Sequence, residues 1–140
     1  MGYKINQRFM DAFIALDKVC CDKFGVSTGG VTDYVNRLIN SRFAPGRDNV
    51  LPKLVRYTNL RNRLAHEAGA MKQIDEISKD DVKWIHEFEK TVSKKKDPIS
   101  LYLRKARRYA KRRRIRRFLV ISVIVIAVVA AIAFGISLAV

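Results

Sequence analysis

The chain has 140 residues, with 28 Lys and Arg against 13 Asp and Glu, for a formal net charge of +15. The length allows one small domain, and the charge is uneven: residues 1–93 carry 15 basic and 12 acidic side chains, residues 94–117 carry 13 and one, and residues 118–140 carry none. This pattern excludes a purely soluble single domain, a secreted disulfide scaffold and a large enzyme with its own substrate domain.

Four stretches repeat apolar residues at the helical period. The first covers residues 3–23, with Ile5, Phe9, Phe13, Leu16, Cys20 and Phe24 on one stripe; Gly25 and the segment VSTGG end it. The adjacent Cys20 and Cys21 diverge on a helix, so an intrachain bridge is strained, and they read as small apolar residues in or near a core. The second stretch, residues 31–42, points Val31, Tyr34, Val35, Leu38 and Ile39 inward, and the segment APGRD breaks it. Asp48 is the expected cap of the third, which runs to His66 with Pro52 in its first turn and Leu51, Leu54, Val55, Leu60 and Leu64 as apolar positions. A loop through Gly69 follows. Ser78 and Asp81 then make a capping signal for the fourth helix, lined by Val82, Ile85, Phe88 and Val92 with Trp84 beside them.

No strand pattern or internal repeat is present, and short connections favour antiparallel neighbours. The expectation is an all-α chain: a small four-helix bundle over residues 1–93, helped by dimerisation because its core is modest. Residues 94–117 form a basic juxtamembrane arm, with a joint at Asp97-Pro98 and a helix from Ile99.

Residues 118–140 contain only two serines and one glycine among apolar side chains. Twenty-three helical residues span about 34 Å, enough for a hydrocarbon core of about 30 Å. Arg104, Lys105, Arg107, Arg108, Lys111, Arg112, Arg113, Arg114, Arg116 and Arg117 abut this run on its N-terminal side. Positive charge stays cytoplasmic, so the expected topology is a single-pass, tail-anchored protein with its N-terminal domain cytoplasmic and its C-terminus at the far side. The same cations are expected to bind anionic lipid headgroups.

Most catalytic signatures are missing. VSTGG lacks the ending of a phosphate-binding loop and reads as turn glycines. Asp75, Glu76, Asp80 and Asp81 suit a loop and helix start, and His86 reads as a surface or packing residue. With two widely separated histidines and no Cys/His spacing, neither a metal nor a cofactor is implied.

One stretch, YTNLRNRLAHEAG at residues 57–69, stands apart. Arg61, Asn62, Arg63, His66 and Glu67 cluster on the last turns of the third helix. Asn62 and His66, four apart, share a face; Arg61 and His66, five apart, lie about 140° apart. A second copy of the helix, related by a two-fold axis, would bring both Arg–His pairs into one cleft. Such a cleft suits cleavage next to phosphate: Arg is a permanent, forked cation, and His moves a proton near neutral pH. RNA brings its own nucleophile, the 2′-hydroxyl. Asn62 would orient His66 or donate to a phosphate oxygen.

At these residues the sequence resembles the HEPN superfamily (higher eukaryote and prokaryote nucleotide-binding), whose ribonucleases carry an R-x(4–6)-H motif late in one helix of an all-α bundle. Here the match is Arg61-Asn62-Arg63-Leu64-Ala65-His66. The resemblance implies a homodimer with a composite, metal-independent site that cuts RNA, Arg61 and His66 being catalytic and Asn62, Arg63 and Glu67 supporting. It also implies toxin–antitoxin or antiviral defence systems, with an antitoxin or regulatory protein as partner. Some toxin members have Tyr two residues after the His, where this chain has Ala68. The leading expectation is therefore a membrane-tethered endoribonuclease. The alternatives are a non-catalytic helical dimerisation or interaction module on the cytoplasmic membrane face, or a protein whose basic arm binds RNA or anionic lipid while the bundle only dimerises.

Overall fold

The computed structural model describes the backbone of residues 2–139 and the side chains of residues 2–132. Among the described residues the protein is all-helical, without strands: α1 (Gly2–Phe24), α2 (Gly30–Asn40), α3 (Arg47–His66), the single turn α4 (Ala70–Gln73), α5 (Lys79–Ser93) and α6 (Pro98–Ala139). The chain divides into two compact units, Met1–Tyr102 and Leu103–Val140.

In the first unit α1 is the central element, packed against α2, α3, α4 and α5. Its buried stripe comprises Phe9, Phe13, Leu16 and Cys20, joined by Ala12 and Cys21. Period alone misplaces a few residues. Ile39 and Val55 are 47% and 39% exposed, whereas Tyr57, absent from the expected inner face, is buried. The reason is aromatic packing that crosses the core. Phe9 meets Tyr57 edge-on at 5.7 Å, Tyr57 meets Trp84 at 5.4 Å, Trp84 stacks on Phe88 at 5.0 Å, and Phe88 meets Tyr34 at 5.4 Å. These rings join α1, α3, α5 and α2 into one core.

The helix ends show how the connections are set. Ser78 and Asp81 form the expected capping box at α5. At α3, however, the residue before the helix is Gly46 with φ 75°, and Asp48 lies inside the first turn, exposed and paired with Arg47 at 3.2 Å. Only glycine enters a helix easily from that left-handed backbone. Asp48 therefore complements the dipole rather than capping, and Pro52 falls beyond the first turn. The expected loop after His66 contains α4, held by the buried Asn6: its Nδ2 donates to the carbonyl oxygens of Met71 at 3.1 Å and Ile74 at 2.7 Å. Gly30 lies where α1 and α2 approach most closely. A Cβ there would stand 2.4 Å from the Cys21 nitrogen and 2.5 Å from the Asp17 carbonyl oxygen.

The first unit extends past residue 93. Asp97 is fully buried, and Ile99 and Pro98 are buried beside it. The Asp97 carboxylate accepts from Lys23 Nζ at 2.6 Å, the Tyr34 hydroxyl at 2.8 Å and the Ser100 backbone N–H at 3.2 Å. The last bond is the N-cap pattern, with Pro98 in the first helical position where it is best tolerated. Burial alone would raise this carboxyl; the bonds from Lys23, Ser100 and Tyr34 outweigh it and hold it below the ordinary range. Residues 94–117 are thus split, their first part belonging to the helical unit.

The second unit is the remainder of α6. Its charged side chains from 104 to 117 are exposed, and so are apolar ones such as Phe118, Ile121 and Val125. The helix is long and apolar enough to cross a membrane: its most apolar window has a mean hydropathy of 2.5, with none of it buried. Ser122 donates to the Phe118 carbonyl at 2.9 Å, satisfying its hydroxyl within the helix. Of the expected span 118–140, the side chains of 133–139 and all of Val140 lie outside the described residues.

Candidate functional site

The last turns of α3 carry Arg61, Asn62, Arg63 and His66, with Glu67 as the C-cap residue. The buried Leu60 and Leu64 seat this part of α3 on the core, which directs the intervening polar residues to two different sides.

On one side is a cleft of about 280 Å³ between α1, α2 and α3. Arg61 and Asn62 line it together with Thr58, Asp17 and Thr32, over an apolar wall of Phe13 and Ile14. Arg61 donates to the Asn62 side-chain oxygen at 3.1 Å. Asp17 is already engaged: its carboxylate accepts the Val31 backbone N–H at 2.8 Å, capping α2 from α1. Thr58 donates to the Leu54 carbonyl at 2.8 Å. The cleft therefore offers the Arg61 guanidinium, the Asn62 amide and the Thr32 hydroxyl beside the Asp17 carboxylate, a hydrogen-bonding set of mixed charge.

On the other side, Arg63 faces an open groove that it shares with Leu51, Val55, Arg56 and Glu76. It is bound to Glu76 at 3.1 Å and to Glu67 at 3.6 Å. The bond to Glu76, more than the pull of Glu67, holds its guanidinium still further into the charged range. Arg63 thus ties α3 to the segment before α5, and Glu67 pairs with it rather than with Arg61.

His66 is exposed and does not line the Arg61 cleft. Among the described residues it makes no side-chain hydrogen bond or ion pair. One chain accordingly brings Arg61 and Asn62 together and sets Arg63 and Glu67 apart from them, while His66, although it shares a face with Asn62, makes no hydrogen bond to it among the described residues.

Sequence reasoning missed Thr58, Asp17 and Thr32. Thr58 stands three residues before Arg61, a spacing that places both on one face and could have been read. Asp17 and Thr32 come from other helices, and only the α1–α2 approach at Gly30 reveals them. A second carboxylate, Asp81, accepts from Arg56 at 2.9 Å and the Tyr57 hydroxyl at 2.8 Å. Its burial, which would raise it, is outweighed by bonds from Ser78, Tyr57 and Arg56, so it too stays below the ordinary range. Burial pushes the Cys20 thiol up to about 12, which leaves it unreactive. Among the described residues no three His, Cys, Asp or Glu side chains converge as metal ligands.

No curated protein and no solved structure matches the chain. A family of unknown function, DUF6548, matches residues 7–117, from the first helix through the last of the clustered cations. The chain belongs to this family.

Proposed function

We propose that the protein is a membrane-tethered, metal-independent endoribonuclease of HEPN-like type, a small four-helix bundle of α1, α2, α3 and α5 held at the cytoplasmic face by the apolar part of α6. The observation that carries this reading is the split use of the α3 terminus. Arg63 is committed to Glu67 and Glu76, while Arg61 makes no ion pair among the described residues and His66 stands exposed. A free arginine and a free histidine at one helix end are what a two-copy site needs.

In that site Arg61 clamps a phosphate oxygen beside the scissile bond, with Asn62 as a second donor. His66 takes the proton of the 2′-hydroxyl as that oxygen attacks phosphorus, and the proton passes on to the departing 5′-oxygen. The products are a 2′,3′-cyclic phosphate and a free 5′-hydroxyl. Such an activity fits a toxin or an antiviral defence system in which an antitoxin or regulatory protein restrains it. The test is purified full-length chain in lipid nanodiscs with single-stranded RNA in EDTA. Cleavage should leave cyclic phosphate ends, spare DNA, and slow by about 10²–10⁴-fold in His66→Ala. A folded dimer inert on RNA would overturn the reading.

A second reading is favoured by one specific observation, the lack of any partner positioning His66 among the described residues. In it the helical unit is a non-catalytic dimerisation or interaction module. Expression that is harmless, and unchanged by His66→Ala, would select it.

A further inference from the structure

The family match ends at Arg117, so it takes in all ten cations of α6. These ten lie within about 20 Å of helix, one charge per about 2 Å, close to the charge spacing of a nucleic-acid duplex. No Asp or Glu occurs from Pro98 to the end of the chain, so the helix itself supplies no counter-charge. The cations also point in every direction around the axis. A helix lying flat on a membrane would instead segregate them to one face.

Geometry divides them into two tiers. The headgroup layer on each side of a bilayer is about 5–8 Å thick. If the apolar core begins at Phe118, residues 111–117 lie in or just above that layer. Tyr109, nine residues away, stands about 14 Å from the core boundary, and residues 104–108 about 15–21 Å. Even a 40° tilt leaves Tyr109 about 10 Å out. The upper cations are then about 7–16 Å beyond the headgroups, which is about one to two Debye lengths. Lipid anions neutralise the lower tier but reach the upper one weakly.

Tyr109 gives the upper tier its chemistry. It is 72% exposed and makes no ring contact or hydrogen bond among the described residues. It stands too far out for the aromatic belt of a membrane interface. On the helix surface its neighbours are Lys105 four residues before, and Arg112 and Arg113 three and four after. An open aromatic face bordered by cations is the arrangement that stacks a base while holding its flanking phosphates.

We propose that residues 105–109 of α6 form a binding site for single-stranded RNA, with Tyr109 as the stacking platform and the upper-tier cations Lys105 and Arg108, three residues apart on the helix, as phosphate contacts. The proposal rests on the membrane span proposed above but not on the nuclease, since RNA binding here needs neither Arg61 nor His66. The site gathers RNA at the membrane surface by charge density and aromatic stacking, without base sequence readout.

The test uses the full chain carrying His66→Ala, to prevent cleavage, in phosphatidylcholine nanodiscs, with a fluorescent 12-nucleotide RNA read by anisotropy. Co-elution with the nanodisc scores the span separately. Tyr109→Ala should weaken binding by about 5- to 150-fold and Tyr109→Phe should retain it. Replacing Lys105 and Arg108 by Ser should lower the slope of log affinity against log salt by about 1.4. Nanodisc-bound protein that holds RNA equally well with Tyr109→Ala, or with the two-residue replacement, would overturn the proposal. So would loss of RNA binding on adding anionic lipid together with indifference to Tyr109, which would make the whole segment a lipid collar.

Discussion

Within residues 1–102 the two buried carboxylates, Asp81 and Asp97, are each held by a tyrosine hydroxyl and a cation, whereas residues 104–117 carry ten cations and no acid. The first region partners its buried carboxylates within the chain. The second carries nine exposed cations from Lys105 to Arg117 with no acidic residue among them, a charge density suited to an external anion. The same contrast recurs on a smaller scale at the end of α3, where Arg63 is paired within the chain and Arg61 faces a cleft. A charge already partnered supports the fold. One exposed without a carboxylate is a candidate for work on something else.

The largest break of this contrast is expected at Asp97. Replacing it by Ala leaves Lys23 and the Tyr34 hydroxyl without their partner in the core and removes the cap of α6. The expected loss is about 3–5 kcal/mol, read by denaturation through Trp84 fluorescence. A loss under 1 kcal/mol would show that the joint is not part of the core. The carboxyl is held low in the folded state, so its stabilisation is complete above the unfolded value of about 3.9 and fades as pH falls through the folded one. Asp97→Asn should therefore flatten the acid limb of the stability profile without adding a transition near neutrality.

Gly30→Ala should come next, at about 1–3 kcal/mol, because the new Cβ meets backbone rather than a flexible side chain. An unchanged midpoint would mean that α1 and α2 part easily. The smallest effect sharpens the other half of the comparison: Arg107→Ser with Arg108→Ser should change stability by no more than about 0.5 kcal/mol, while weakening RNA binding. A large destabilisation would mean that these cations belong to the fold after all.

Much of this architecture is legible in the residues. The helical stripes through Phe9, Leu16, Leu38, Leu54 and Ile85 are buried where the 3.6-residue period places them. The S-x-x-D signal at Ser78 is a capping box, because that motif is local and its geometry travels with it. What period could not supply is partnership across the chain. Asp97-Pro98 reads as a joint because the sequence does not reveal that Lys23 and Tyr34, 74 and 63 residues away, converge on it. Tyr57 is absent from the expected inner face because period does not show that its hydroxyl reaches Asp81. At α3, spacing alone separates Arg61 from His66, and the structure keeps them on different sides. A second copy of α3 would join them.

That second copy can be tested directly. Full-length chains carrying Arg61→Ala and His66→Ala, each expected to be inactive alone, should be co-expressed and assayed together on single-stranded RNA in EDTA. A composite cleft predicts partial return of cleavage with cyclic phosphate ends, since a mixed pair contributes one intact arginine and one intact histidine. No return, with wild-type chain active, would place the chemistry within one copy. Cleavage undiminished in the Arg61→Ala, His66→Ala double variant would contradict the assignment altogether.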